Sequence, residues 1–339
     1  MEIWKKRNFS SSLDSYLRMI LGGNTIGPGD VHFLTESGDG YETLVKNMGI
    51  SSDFRHTDLA TAIAALGSDN GDNLLIFPGN HLTTASITLS QNDVRLIGVG
   101  SPNQQYQPST LTDGGIRLSC VTSAIAEILS ITGHYVQMHN LGTLNTYDGA
   151  SNIADIKIGG KNFYANRCSF RGGNGATQVA TDGAGVPILV NTAVAGAGNG
   201  LLIENSVIGS SGNTVRSKGP GCLLFPGGAV AGFGMQFRNC VLSSRIETAT
   251  NNNVGLVKLT ANYAVDRELL FDNCFFYSFS ENFGTKATYV FRDACTTTHQ
   301  IVLKNCVANL GFTSWSDAAT YVSVCSPVSH LTGGIGLNS

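Results

Sequence analysis

The 339-residue chain predicts an all-β parallel β-helix, a solenoid in which short strands stack coil upon coil. Three observations carry that prediction. One phrase is written four times: Leu201-Leu202-Ile203-Glu204-Asn205-Ser206 returns as Met235-Gln236-Phe237-Arg238-Asn239-Cys240, Leu269-Leu270-Phe271-Asp272-Asn273-Cys274 and Ile301-Val302-Leu303-Lys304-Asn305-Cys306, at intervals of 34, 34 and 32 residues. A fixed period of that size signals a repeat architecture. The phrase alternates apolar and polar positions over about five residues, the period of a half-buried strand and not of a helix. A second apolar stretch also recurs upstream of the copies, at Ile188-Leu189-Val190, Leu223-Leu224-Phe225, Leu256-Val257-Lys258-Leu259, Tyr289-Val290-Phe291 and Tyr321-Val322-Ser323-Val324. Two or three short strands per period, separated by Gly-rich turns, close into a coil. With 41 glycines and only 13% charged residues, the composition suits tight turns between uncharged stacked faces.

Like positions then sit above one another, roughly 4.8 Å apart. Asn205, Asn239, Asn273 and Asn305 are expected to form a ladder of side-chain amides. Asn fits there because it is the non-glycine residue most tolerant of a left-handed bend. Cys168, Cys240, Cys274 and Cys306 form an adjoining column of small buried thiols, so reduced cysteines are expected in place of disulfides. The position before the Asn alternates in sign, through Glu204, Arg238, Asp272 and Lys304, which predicts attraction between neighbouring strands. Weaker copies lie at Phe163-Tyr164-Ala165-Asn166-Arg167-Cys168 and Val136-Gln137-Met138-His139-Asn140, and the chain closes on Ile335-Gly336-Leu337.

This grammar resembles the pectin-lyase-like family of single-stranded right-handed parallel β-helices. The likeness is reinforced by Leu59-Ala60-Thr61-Ala62-Ile63-Ala64-Ala65-Leu66, which reads as a short helix, followed by Leu74-Leu75-Ile76-Phe77-Pro78-Gly79, Ile87-Thr88-Leu89 and Val94-Arg95-Leu96-Ile97-Gly98-Val99-Gly100. The resemblance implies a capping helix, at about residues 57–66, over the first coil of a solenoid running from 56 to 339. Solenoids need such caps because the first rung otherwise exposes an apolar cross-section.

Residues 1–55 read differently, as an N-terminal arm or attachment segment. Leu13, Tyr16, Leu17, Ile20 and Leu21 are spaced for one short helix from Ser10 to Leu21. Turn clusters at Gly27-Pro28-Gly29 and Ser37-Gly38-Asp39-Gly40 flank a strand-like piece, Val31-His32-Phe33-Leu34. The segment is too small for its own core and is expected to dock on the coil or on a partner. No apolar run of signal-peptide length follows Met1, and no stretch is long enough to span a membrane, so neither export by that route nor a membrane partner is expected. A net charge of −3 gives no electrostatic reason for nucleic-acid binding. Gly159-Gly160-Lys161 lacks the spacing of a phosphate-binding loop, and no cofactor is expected.

Catalysis on such a coil requires paired carboxylates projecting from nearby rungs. Glu204 and Asp272 are the pair that the repeat places in one column, two rungs or roughly 9.6 Å apart, with the Arg238 guanidinium between them; a charge ladder is the competing explanation. Asp266 and Glu268 are expected in a turn. The Ca²⁺-ligand carboxylate cluster of polysaccharide lyases is absent, as are the Asn-Thr-Asp, Asp-Asp and His-Gly motifs of polygalacturonases. His139, Cys295 and His299 do not make a metal set, because a single Cys and His four apart is a weak signal. Trp4 and Trp315 suit either sugar stacking or packing at an interface.

The more informative anomaly is apolar. If Leu201 and Ile203 face inward together with Asn205, then Leu202, Leu270 and Val302 face outward, interrupted by Gln236. Val207, Val241, Phe275 and Val307 are placed to add a second outward column, and contiguous exposed apolar surface marks a partner site. The C-terminal end of the coil points the same way: no polar capping helix is expected after the last coil, which leaves that end open unless another chain, or another copy of this one, covers it. The chain as a whole resembles capsid- or tail-associated β-helix proteins of tailed bacteriophages. That resemblance implies a non-enzymatic virion protein, of capsid-decoration or tail-associated type, that assembles as a homotrimer. Its partners would be copies of itself and major capsid or tail proteins, with host-surface glycan as a further one. The alternative is a tailspike-like polysaccharide depolymerase, or a glycan-binding adhesin without catalysis.

Overall fold

The computed structural model describes residues 28–100, 115–120, 125–145, 153–172, 185–191, 194, 196–209, 221–226, 233–245, 255–260, 268–279, 289–294, 300–309, 312, 314–317 and 322–324. They form a right-handed parallel β-helix. Every pairing between strands is parallel, and three sheets run the length of the coil, with eleven, eight and eight strands among the described residues. Sheet A contains the repeated phrase, as the strands Leu202–Glu204, Met235–Arg238, Glu268–Asp272 and Gln300–Lys304. Sheet B follows immediately, as Val207–Gly209, Val241–Arg245, Phe275–Phe279 and Val307–Ala308. Sheet C holds the other recurring stretch, as Val186–Val190, Leu223–Phe225, Gly255–Leu259, Tyr289–Asp293 and Ser314–Ser316.

The bend from A to B is built by one left-handed residue per coil. Asn140, Asn205, Asn239, Asn273 and Asn305 have φ of 55°, 51°, 52°, 54° and 53°. Their backbones are tied rung to rung: the N–H of Asn205 donates to Arg238 O at 3.0 Å, that of Asn239 to Asp272 O at 2.9 Å, and that of Asn273 to Lys304 O at 2.8 Å. The side-chain amides stack as well. Asn273 Nδ2 donates to Asn239 Oδ1 at 2.8 Å, Asn239 to Asn205 at 3.2 Å, and Asn205 to Asn166 at 3.0 Å. The ladder runs on the outside of the corner, where Asn205, Asn239, Asn273 and Asn305 are exposed, because the left-handed turn swings the side chain away from the core. Asn166 is not itself the left-handed residue of its rung. Register pairs it with Glu204, and Arg167 takes the bend at φ 54°.

Inside, the alternation closes a single continuous core. Leu201, Ile203, Met235, Phe237, Leu269, Phe271, Ile301 and Leu303 are all fully buried. Phe237 and Phe271, one rung apart, stack at 4.9 Å and 13°. Cys168, Cys240, Cys274 and Cys306 are buried and free. Cys240, Cys274 and Cys306 donate their thiols to Ile203, Phe237 and Phe271 carbonyls at 3.4, 3.3 and 3.3 Å. Burial pushes the Cys168 thiol up to about 12, and hydrogen bonding to the next thiol in the column raises Cys274 and Cys306 as well. These sulfurs are packing groups, unreactive as thiolates.

At the N-terminal end the helix Leu59–Ala64 starts on Asp58, whose Oδ1 accepts the Thr61 N–H at 2.8 Å. Leu59, Ala62, Ile63 and Leu66 enter the main core. The division drawn at residue 55 falls inside this region of the coil. The strand Val31–Leu34 pairs in parallel with both Asn73–Ile76 and Arg55–His56, so it lies second in sheet A with Arg55–His56 at the edge. All four of its residues are buried, so it carries no alternation from which its membership could be read. A second helix, Gly40–Asn47, lays Val45 over an outer cluster of Val31, Phe33, Leu75, Phe77, Ile97 and Val99 and shields that face. The expected helix from Ser10 to Leu21 lies outside the described residues, as does the closing Ile335-Gly336-Leu337.

One strand is reassigned at the other end. Val322–Val324 was grouped by sequence with the sheet C stretches, but it pairs with Ile301–Leu303 in sheet A. The last described strand of sheet C is Ser314–Ser316, because Trp315 turns inward and meets Phe276 edge-on at 5.8 Å and 88°. Among the described residues, no helix is long and apolar enough to cross a membrane.

Candidate functional site

The outer face of sheet A carries the charged column. Register aligns Glu204 with Arg238, Arg238 with Asp272 and Asp272 with Lys304. The alternating signs nevertheless produce one ion pair, Lys304 Nζ to Asp272 Oδ2 at 3.0 Å. Arg238 turns along its own strand and donates Nη2 to Gln236 Oε1. Glu204 accepts the Tyr164 hydroxyl. A long side chain on a strand can reach the residue two positions away on the same face as readily as the rung above, so sign alternation alone does not fix the pairing. Glu204 and Asp272 therefore stand two rungs apart with Arg238 between them, each holding a donor and neither facing a second carboxylate on an adjacent rung. That is not the geometry of an acid and a base flanking one bond. Asp266 lies outside the described residues, and Glu268 opens a strand of sheet A, paired with Gln300, where a turn was expected.

A cluster that the sequence did not announce sits beside Glu204. Column register brings Arg95, Gln137 and Tyr164 together on three consecutive rungs, with His139, Asn166 and Glu204 alongside. His139 is buried, its ring edge-on to Tyr164 at 5.4 Å and 69°. Its Nε2 meets Gln137 Oε1 at 3.2 Å, while Nδ1 has no partner among the described residues. Burial, reinforced by the Arg95 charge and opposed by Glu204, brings the imidazole down to about 4, so it is neutral near pH 7. The Tyr164 hydroxyl is pushed the opposite way, by burial and by its bond to Glu204. Only an alignment of four consecutive rungs would have assembled this group from the sequence, since its six members come from four different periods.

His139 has no metal-binding company. Cys295 and His299 lie outside the described residues, and among those described no three His, Cys, Asp or Glu side chains gather as a ligand set. Trp315 is buried against Phe276 and so is not a sugar platform; Trp4 lies outside the described residues. A cavity of about 660 Å³ opens near the helix Gly40–Asn47, lined by Glu36, Asp39, Tyr41 and Pro78 among others. Its two carboxylates are already used on backbone: Glu36 accepts the Asn80 N–H and Asp39 caps the helix at Glu42 N.

The apolar columns divide. Leu202, Gln236, Leu270 and Val302 are in register on sheet A, and all four are half-buried. On sheet B, Val207, Val241, Phe275 and Val307 also align, but their exposure climbs along the coil. Val207 is 9% exposed and Val241 half-buried, whereas Phe275 reaches 39% and Val307 56%. Tyr277 stacks on Phe275 at 5.6 Å and widens the strip.

No family profile matches the sequence, and no curated protein matches it. Solved structures do. A pectin methylesterase mutant in complex with hexasaccharide IV superposes with a TM-score of 0.50 at 14% identity, over 84% of this chain and 80% of that one. Pectin methylesterase PemA from Erwinia chrysanthemi gives 0.48 at 16% identity, covering 87% and 80%. ORF18 of Geobacillus virus E2 gives 0.41 at 14%, covering 92% of this chain and 60% of that one. At such identities the likeness is one of fold alone, the right-handed parallel β-helix.

Proposed function

We propose that this chain is a non-enzymatic structural protein of a bacteriophage particle, a capsid-decorating or tail-associated β-helix that assembles as a homotrimer and sits against major capsid or tail proteins. The observation that carries the reading is the strip Val241, Phe275, Tyr277 and Val307 on sheet B, where large apolar side chains become more exposed towards the C-terminal rungs. Exposed apolar side chains aligned on a rigid sheet are suited to burial against a copy of the same surface. The engaged state of Glu204 and Asp272 supports the absence of catalysis. Sedimentation velocity tests the assembly: the wild type runs as a trimer, and Phe275→Asp with Val307→Asp runs as a monomer with an unchanged circular dichroism spectrum. A wild type that stays monomeric at all accessible concentrations contradicts the reading.

A second reading has its own observation. The polar face built from Arg95, Gln137, Tyr164 and Glu204 combines a half-buried aromatic ring with amide, carboxylate and guanidinium groups, the mixture that recognises host-surface glycan. On this reading the chain is a glycan-binding adhesin or a polysaccharide depolymerase. Incubation with capsular and plant polysaccharides separates the cases: reducing ends or unsaturated products identify an enzyme, and retention without products identifies an adhesin.

A further inference from the structure

The edge strand of sheet A holds a guanidinium that lacks an acceptor. Register pairs Arg55 with Phe33 and His56 with Leu34. Phe33 belongs to the outer cluster under the helix Gly40–Asn47 and Leu34 to the main core, so Arg55 stands on the outer face, while His56 turns inward and meets His32 at 3.1 Å. The Nε of Arg55 is buried and has no hydrogen-bond partner, and among the described residues no carboxylate stands at ion-pair distance from the guanidinium. A donor withdrawn from water without an acceptor carries its full desolvation cost.

Arg55 lines a cavity of about 210 Å³ between this strand, the helix Gly40–Asn47 and the 3-10 turn Ser52–Phe54. Phe33 and Val45 close its apolar side, and Thr35, Ser52, Thr57, Glu42 and Lys46 supply the polar one. Glu42 is the carboxylate of this wall, and both of its oxygens are committed: Oε1 to Lys46 Nζ at 2.6 Å and Oε2 to the Gly38 N–H at 2.7 Å. Its carboxyl is held below the usual range first by Lys46, then by the Gly38 N–H, and last by the charge of Arg55, which acts on it without contact. Thr35 is 3% exposed, and its hydroxyl makes no hydrogen bond among the described residues. The cavity therefore offers donors and positive charge to whatever enters it.

We propose that this cavity binds one tetrahedral oxyanion, a phosphate or a sulfate, either free or as the terminal group of a monoester, held by Arg55, by the hydroxyls of Thr35, Ser52 and Thr57, and by Lys46 as a second positive charge. The guanidinium presents paired N–H groups that match an oxyanion, and hydroxyls rotate to donate. At about 30 Å³ for each water, the volume holds the ion and a few waters and nothing much larger, so only the terminal group of a monoester enters. Because Lys46 is on the helix and Arg55 on the edge strand, the bound ion ties the helix to the N-terminal rung of the coil.

Equilibrium dialysis of the full chain in chloride buffer against radiolabelled inorganic phosphate tests the site. One saturable equivalent per chain is expected, displaced by sulfate and not by sodium chloride at matched ionic strength. Methyl phosphate separates the two sources: displacement admits the monoester, and its failure restricts the site to the free ion. Hydrogen exchange locates the ion, with amides of Gly40–Asn47 expected to exchange several-fold more slowly in phosphate and those of Gln300–Lys304 at an unchanged rate. Arg55→Met loses the saturable binding, whereas Lys161→Gln, which removes an exposed cation several rungs away, keeps it. If Arg55→Met does not fold, Thr35→Val decides, with affinity for phosphate reduced about tenfold. Absence of saturable binding to the wild type at millimolar phosphate, protection that misses the helix, wild-type binding by a folded Arg55→Met, or unchanged affinity in Thr35→Val overturns the proposal.

Discussion

At the scale of single residues, the corner Asn combines two properties that no other side chain supplies together: tolerance of φ near +50° and an amide that both donates and accepts along the stack. Asn239→Ala removes both and is expected to destabilise the coil by about 1–3 kcal/mol. Asn239→Gly, which keeps the backbone freedom, costs less; chemical denaturation of the two variants separates the terms. Arg167 at the same corner shows that the stack tolerates a poorer residue where Asn166, one position earlier, still lends its oxygen to Asn205. His139 makes a pH prediction. Its folded pKa, about 4, lies below the 6.5 of an ordinary imidazole, so the unfolded chain binds the proton more tightly. Its contribution to stability is full above about pH 6.5, falls as the pH drops through that value, and has been lost once the pH passes below about 4. His32, His56 and His81, also lowered by burial, act in the same direction. His139→Gln is expected to flatten the acid limb of a stability-against-pH curve by up to about 3 kcal/mol. Unchanged curvature would remove His139 from the account.

At the scale of elements, the legible parts were those with a period. The phrase in sheet A alternates strictly, and its spacing alone set the corner, the thiol column and the left-handed residues. The capping helix, Leu59–Ala64, was legible from the apolar run Leu59 to Leu66, whereas its cap on Asp58 was not read from the sequence. Val31–Leu34 was readable as a strand but not as part of the coil, since both of its faces are covered. Val322–Val324 and Ser314–Ser316 exchanged sheets because short apolar runs specify a strand without specifying which wall of the coil receives it. The His139 cluster escaped because no two of its columns share a recurring residue type. Glycines reveal a further element rule. Gly160, in the Gly159-Gly160-Lys161 stretch, approaches the preceding coil so closely that a Cβ there would stand 1.8 Å from Gly133 O. Gly160→Ala is expected to cost more than about 3 kcal/mol, as a backbone clash with no flexible side chain to yield. A midpoint in urea within experimental error of the wild type would show that the two turns are not in contact.

At the scale of the whole molecule, the coil presents three unequal outer walls. The N-terminal part of sheet A is sealed by the helix Gly40–Asn47, and its middle is polar around Tyr164 and Glu204. Sheet B ends in the uncovered strip of Phe275, Tyr277 and Val307. A solenoid transmits little along its axis, because each rung contacts only its neighbours, so these walls are independent surfaces on a common rod. Substitutions on one are expected to leave the others unaffected: Tyr164→Ala weakens any glycan retention without changing the sedimentation of the assembled form. The measurement that tests self-association most directly is hydroxyl-radical footprinting of the wild type at assembling and at dilute concentrations, with Tyr41 as the exposed reference. The account predicts that labelling of Phe275 and Tyr277 falls several-fold on assembly while that of Tyr41 stays constant. Equal labelling of Phe275 at both concentrations would contradict it.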